Sequence, residues 1–425
     1  MKPIIQPLKG TRDFYPEVMA ARTWLYGLLR EVAESFGYQE YDGPFLEPLA
    51  LYAAKSGEEL VKEQSFVFPD RGGDMITLRP ELTPSLARMV AQRQRQLVYP
   101  LRWWSFGPFW RYERPQKGRT REFFQWNVDL LGIDSPEADA ELVTVVATFF
   151  QKAGLSPAEV VILVNNRRLL DAELTAAGVL DEQKPSVLRW IDRRDKLSPA
   201  DWEAYASEIG LRAEQVEMIK TMLADTELWR KSDELVRLFA AVQALGTADY
   251  VKYDPGVVRG LDYYTGTVFE AYEIRGDVRR AILGGGRYNN LLADVGGEPL
   301  PGVGFAMGDV VITLILEARG LIPPSANANP ADVLVTVFDA GLQPASLALA
   351  ASLRQAGLCV NCYPEPAKLP KQFKYADRLG IRVAAVIGPD EAANGQVTIK
   401  DLGQGTQQTV DQADAAAQIR KILSQ

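Results

Sequence analysis

Five cations crowd the first half of the stretch RYERPQKGRTREFFQWNVDLLG, residues 111–132: Arg111, Arg114, Lys117, Arg119 and Arg121. A guanidinium pairs with carboxylate or phosphate through parallel N–H donors, so such a cluster suits a phosphorylated ligand. The basic run then gives way to alternation. If residues 122–130 form a strand, Phe123, Gln125, Asn127 and Asp129 share one face. Glu122, Phe124, Trp126, Val128 and Leu130 share the other, which reads as core. The first face sets three polar groups in a row with an aromatic at the mouth. Arg111 and Glu113 share a face of the preceding strand, and the loop between offers Lys117 and Arg119 as a lid. The same spacing also describes a solvated face carrying surface ion pairs. Both readings stand at this point.

Three further stretches carry reactive residue types. In VVRGLDYYTGTVFE, residues 257–270, a strand puts Arg259 and Tyr263 on one face and Tyr264 on the other. ILGGGRYNN, residues 282–290, has three consecutive glycines, Gly284 to Gly286, where backbone turns tightly or comes close to something. No G-x-x-x-x-G-K-[ST] run is present, and GVGFAMG has Met307 in place of the last glycine of a dinucleotide fingerprint. TLRPELTPS, residues 77–85, puts Glu81 and Thr83 where a strand meets a helix. An acid there meets an ammonium group or simply complements the helix dipole.

Composition excludes whole classes of chemistry. The 425 residues contain no histidine, which removes His-based triads, His general bases and His metal ligands. The two cysteines, Cys359 and Cys362, lie on a short strand facing opposite sides, and two soft ligands are too few for zinc. Net charge is −8, so any nucleic acid must meet a local basic patch. No apolar run is long enough to cross a bilayer, and MKPIIQPLKGTRDFYP lacks the apolar core of a signal peptide. The expected location is the cytoplasm.

The elements that must position these groups follow from pattern. Asp13 and Pro16 open a helix whose apolar residues, Val18, Ala21, Leu25, Leu28, Val32 and Phe36, recur at helical spacing until Gly37. Thr83 is the expected N-cap of a second helix, with Pro84 in its first turn. Ser135 caps a third, through residue 155. Residues from about 165 to 250 read as a charged helical insertion in a strand-containing domain of residues 1–320. LIPPSANANP, residues 321–330, is a linker. Residues 331–425 alternate strand and helix and finish as a hairpin, a small α/β domain.

Together these pieces resemble histidyl-tRNA synthetases, of the class II aminoacyl-tRNA synthetases. WRYERPQKGRTREFFQ is similar to the family's motif 2, FRxERPQxGRxRQFxQ. RGLDYYTGTVFE and GGGRYNNLL resemble its two histidine-binding signatures, and TLRPELT its TLRPEGT. YQEYDGPFLEP looks like motif 1, which builds the dimer interface in class II enzymes, and the C-terminal residues look like the anticodon-binding domain. The resemblance implies an α+β catalytic domain on an antiparallel sheet, with the insertion, plus the C-terminal α/β domain. It implies L-histidine, ATP with Mg²⁺ and tRNA(His) as partners of a homodimer. Arg111, Arg119 and Gln125 would hold ATP, and Arg259 would act on the α-phosphate. Glu81, Thr83 and Gln125 would hold the amino group, Asp129 and Tyr264 would contact the imidazole, and Tyr263 and Tyr288 would line the pocket. Gln116 would approach the extra 5′ nucleotide of the tRNA.

Three positions depart from the family pattern. Val311 stands where motif 3 carries an arginine, with Arg279 or Arg280 as a substitute; Asp129 replaces a glutamate; Phe124 replaces a histidine. The first departure leaves an alternative: a non-catalytic paralogue that senses histidine as a regulatory subunit. The anticodon-like domain and the retained Arg111, Arg119 and Arg259 favour the enzyme. The lack of histidine suits a chain whose own translation does not stall when histidine is short.

Overall fold

The computed structural model describes residues 4–53, 64–116, 118–259, 264–276, 280–290, 292–327 and 329–424. Lys117, Tyr263 and Arg279 lie outside them. The chain divides into two compact units, one of residues 1–13 and 22–322, the other of 14–21 and 323–425.

The centre of the larger unit is the pair β5 (Leu101–Trp110) and β6 (Glu122–Leu131), antiparallel with Leu101 opposite Leu131 and Trp110 opposite Glu122. Around it lie β1 (Gln39–Glu40), β7 (Val160–Asn166), β8 (Val251–Tyr253), β9 (Thr267–Glu273), β10 (Leu283–Tyr288) and β11 (Gly302–Gly308). The order across the eight strands is β1-β5-β6-β11-β10-β9-β7-β8. Only the edge strands β1 and β8 pair parallel to their neighbours; the six between are antiparallel. That is the antiparallel α+β sheet expected from the sequence. A three-stranded sheet of β2 (Leu46–Pro48), β3 (Phe66–Pro69) and β4 (Met75–Leu78) stands beside it in the chain.

One face of the large sheet is dry. Trp126, Val128 and Leu130 of β6 are buried there against the helix Pro136–Lys152, with Trp126 in edge contact with Phe305 and tilted on Phe149. Ser135 caps that helix as expected, accepting from the Ala138 N–H at 3.2 Å. The helix is tied to β10 by a fully desolvated pair: Arg287 donates to Asp139, 2.6 Å from Nη2 to Oδ1, and to the carbonyls of Ile133 and Ser135. Removing either partner would strand the other charge in the core, at about 3–5 kcal/mol.

The insertion follows β7 as helices Arg167–Ala176, Lys184–Asp192, Pro199–Glu208, Ala213–Ala224 and Asp233–Ala244. Trp190 and Trp202 lock two of them. Their rings stack at 4.2 Å, and each indole N–H donates to the other residue's carbonyl. The opening helix, Pro16–Ser35, buries Leu25, Leu29, Val32 and Ala33, while Val18 stays half exposed.

Two local expectations are corrected. Thr83 is not an N-cap. Leu82 already has helical backbone angles, φ −99° and ψ −26°, so the helix Thr83–Arg93 is entered without a side-chain cap. Arg259 is not on a strand either: it lies in the connection between β8 and β9 with φ +55°, a left-handed conformation no strand residue adopts. The expected alternation of Arg259 with Tyr264 across a strand therefore fails.

The smaller unit has five strands in the order Val360–Cys362, Val333–Val335, Val383–Val386, Gln396–Asp401 and Gln407–Asp411. The last two form the expected hairpin. The chain does not finish there: a helix, Ala415–Leu423, follows and buries Ala415 and Ile419 in this unit's core.

Candidate active site

The other face of the sheet is where polar groups gather. Asp129 sits on β6 between Trp103 of β5 and Gly304 of β11. Its carboxylate accepts from the Tyr288 hydroxyl, and both are buried. A Cβ on Gly304 would collide with the Asp129 carboxylate and lie 3.0 Å from the Tyr288 oxygen, so the floor has to be glycine. Burial pushes the Asp129 carboxyl up to about 7, against the pull of the Tyr288 hydrogen bond. Such a group holds its proton through the acid range and accepts from a ring N–H once it is lost.

Tyr264 completes this end. Its ring lies 2.8 Å from where a Cβ on Gly286 would sit, again requiring the bare backbone of β10. Gln125, nearer the mouth of β6, pairs with Gly107 and Gly308, and its buried Oε1 has no partner among the described residues. Glu81 is buried just before the Thr83–Arg93 helix, its carbonyl accepting from the Tyr52 hydroxyl.

Cations collect at the opposite end. The Arg111 Nε donates to the Pro80 carbonyl at 2.9 Å, with its guanidinium 5.4 Å from the Phe123 ring. The loop beyond closes on itself, Gln116 and Arg119 exchanging backbone hydrogen bonds of 3.0 and 2.8 Å, which leaves the Gln116 side chain exposed at the tip. Arg119 turns back onto the buried Glu113, 2.6 Å from Nη2 to Oε1. Arg259 pairs with Glu270 of β9, 2.5 Å from Nη1 to Oε1. Glu270 also accepts from Tyr272, whose phenol is held protonated by burial and by that neighbouring charge. The Arg259 guanidinium lies directly over Gly284, where a Cβ would collide with it, and 5.9 Å from the Tyr264 ring. It therefore joins the two ends.

An open pocket of about 790 Å³ occupies the cationic end. Arg111, Glu113, Arg119 and Phe123 wall it on one side, Glu270 and Tyr272 on another, with Arg280 and Val311 beside Gly118. Asp192, Arg194, Asp195 and Lys196 of the insertion close it further. Asp129, Tyr264 and Tyr288 are not among its walls.

The geometry thus brings together Arg111 and Arg119 at one end and Asp129, Tyr264 and Tyr288 at the other, with Arg259 paired to the pocket-wall Glu270 and 5.9 Å from the Tyr264 ring. Gln116 stands apart at its loop tip. Sequence reasoning did not single out Glu270 or the 192–196 segment. Glu270 had a signal, since it is an acid in the middle of TVFEAYE, between Phe269 and Ala271. The insertion residues had none, because only the fold brings them here. Phe124, on the dry face, carries the Arg22 guanidinium 3.4 Å above its ring.

Residues 10–309 match the family model described as histidyl-tRNA synthetase, and residues 326–422 the one described as anticodon binding domain. The histidine–tRNA ligase of Opitutus terrae is 38% identical, with 99% of each chain covered. The chloroplastic/mitochondrial histidine–tRNA ligase of Arabidopsis thaliana is 37% identical, covering 96% of this chain and 86% of the relative. Among solved structures, the histidyl-tRNA synthetase of a Nostoc species superposes with a TM-score of 0.83 at 28% identity, covering 99% of this chain and 100% of the other. On this similarity along nearly its whole length, the chain belongs to the histidyl-tRNA synthetase family.

Proposed function

We propose that the chain activates L-histidine with ATP to histidyl-adenylate and transfers the histidyl group to tRNA(His). A histidine carboxylate oxygen attacks the α-phosphorus, the bond from that phosphorus to the α,β-bridging oxygen breaks and pyrophosphate leaves with that oxygen. The nucleophile is already ionised, so no general base is needed, which suits a site without histidine. The requirement is positive charge where phosphate charge develops. Arg259 meets it at the α-phosphate, between the two ends; Arg111 and Arg119 hold the remaining ATP oxygens. Asp129 accepts from the imidazole ring, with Tyr264 and Tyr288 shaping its pocket and Tyr263 assigned to the same lining. Glu81, Thr83 and Gln125 take the amino group, the Gln125 oxygen being a ready acceptor. The reading rests on one observation above all: Arg259 pairs with Glu270 in the wall of the cationic pocket and lies 5.9 Å from the ring of Tyr264.

Mg²⁺ fits the donor set in a limited way. Among the described residues no three acidic or cysteine side chains converge on one point, but Glu113 and Glu270 wall the pocket. Mg²⁺ characteristically takes one or two carboxylates with the substrate's phosphates. When bound it would neutralise phosphate charge; the two glutamates are the chain's contribution to holding it.

The Gln116 tip and the smaller unit are assigned to tRNA(His). A second copy of the chain is assigned to the three-stranded sheet near motif 1, where Phe45, Leu46, Phe68 and Met75 are 40–48% exposed. Among the described residues no helix is long and apolar enough to cross a membrane; the proposed location is the cytoplasm. The test is histidine-dependent ATP–pyrophosphate exchange by the purified protein, followed by charging of tRNA(His). Exchange that is absent, or indifferent to histidine, overturns the reading and returns the chain to a sensing role.

A further inference from the structure

The pocket's arginines are not alike. Arg119 carries the counter-ion Glu113, and the wall residue Glu270 is itself paired with Arg259. Arg194 pairs with Asp195. Arg280, just ahead of β10, has neither a carboxylate nor a hydrogen-bond partner among the described residues, yet it lines the pocket and is half-buried. Its Cδ lies 3.5 Å from where a Cβ on Gly118 would sit, and Val311 Cγ2 lies 3.8 Å from that point. Positions 280 and 311 therefore feed side chains into one space, against a loop glycine with φ +78° that leaves room for them.

A guanidinium whose stem packs beside Gly118 and Val311, with no carboxylate partner among the described residues, is not part of a structural ion pair. It is well placed to lie flat on a ring. Guanidinium is planar and weakly hydrated, and it stacks on aromatic faces at little desolvation cost. The pocket also presents Phe123, whose ring is backed by Phe109 at 6.1 Å and so kept in place. An aromatic surface and a planar cation in one cleft, next to arginines suited to phosphates, are the complement of a purine nucleotide.

We propose that Arg280 is a nucleotide-binding residue of this site, its guanidinium laid on the adenine of ATP in the space bounded by Val311 and Gly118. This rests on the ATP-dependent reading above. It also assigns the stacking cation to the lead-in of β10, leaving the first turn of the Asp309–Ala318 helix to supply only the apolar wall.

The test is histidine-dependent ATP–pyrophosphate exchange by the full-length protein, with KM measured separately for ATP and histidine. Wild-type exchange must be present; its absence would defeat the ATP reading itself and is seen before any variant is made. Arg280→Ala is expected to raise KM for ATP about tenfold, the loss of one stacked, partly desolvated cation, and to leave KM for histidine within about twofold. Arg280→Lys keeps the charge without the plane and should behave like the alanine variant. Val311→Arg placed on Arg280→Ala should recover most of the ATP affinity, because the two positions open into the same space. An unchanged ATP KM in Arg280→Ala overturns the proposal. So does full recovery by lysine, which would make the residue a charge for phosphate and not a platform for the base. A parallel rise in both KM values would reduce Arg280 to a structural part and equally overturn it.

Discussion

The two ends of the site are prepared in opposite ways. At the end proposed to read the ring, Asp129 is buried, its one donor among the described residues is Tyr288, and two glycines, at 286 and 304, clear space for the side chains above the sheet. At the phosphate end Arg119 and Arg259 are engaged with Glu113 and Glu270. Those carboxylates hold the guanidinium groups in place; on the proposed reading a phosphate competes for them when ATP binds. A buried neutral-leaning acid costs little to keep when empty; a set of unpaired guanidiniums facing one another would cost much more. On the proposed assignment, selectivity is built in advance at one end, while charge is kept in reserve at the other.

The sharpest way to break that contrast is to remove the residue common to both ends. Arg259→Ala should lower histidine-dependent exchange by at least about 10³-fold, since a cation aimed at developing phosphate charge is the largest single contribution such a site makes. The fold should survive, because Glu270 keeps its bond from Tyr272. Circular dichroism and a thermal melt check the fold. Exchange within about tenfold of wild type would remove Arg259 from the mechanism.

How much of this was legible beforehand divides along the same line. The ring-reading end was largely readable, because Phe123, Gln125, Asn127 and Asp129 alternate with Phe124, Trp126 and Val128, and a two-residue period survives into the sheet. The glycine run announced a close approach without saying to what; Arg259 and Tyr264 are the answer. The phosphate end was readable only as a list of cations. Their counter-ions come from 11 residues away for Arg259 and 6 for Arg119, in directions set by loops and not by any period. Asp192 to Lys196 reach the pocket through the helical insertion, a purely tertiary placement. Thr83 was misread because a Thr-Pro pair suits a cap, yet the chain enters that helix one residue earlier, through Leu82. Arg259 was misread because a short apolar stretch suits a strand, while its left-handed backbone is what aims the side chain over Gly284.

A smaller effect is expected from the other end, and it should fall on one substrate. Asp129→Ala should raise KM for histidine about tenfold to a hundredfold, the range for losing a hydrogen bond to a charged acceptor. KM for ATP should move less than about threefold. Equal shifts in both constants would mean that the ends are not separable and would undo the contrast.

The smallest effect tests why Asp129 titrates where it does. Its folded pKa, about 7, lies above the ordinary carboxylate value near 3.9, so ionising it opposes folding. That contribution to stability is intact at low pH, declines as pH rises between roughly 4 and 7, and is gone above. Asp129→Asn, which never ionises, should therefore gain thermal stability over wild type at about pH 8 and lose that advantage near pH 4. In catalysis the sign reverses. The carboxylate accepts from the ring only when ionised, so KM for histidine should rise as pH falls below about 7. The substrate imidazole titrates in the same range, which makes the difference between wild type and Asp129→Asn the informative quantity. Tyr288→Phe then refines it. The Tyr288 hydroxyl favours the ionised form, so its loss should raise the Asp129 pKa and move the acid limb of that difference to higher pH by a fraction of a unit to about one unit. KM for histidine at about pH 9, where the carboxylate is ionised in both proteins, should differ little. If the limb moves to lower pH or stays put, the tyrosine is packing against the acid and not tuning it. The prepared end of the site would then owe its poise to burial alone.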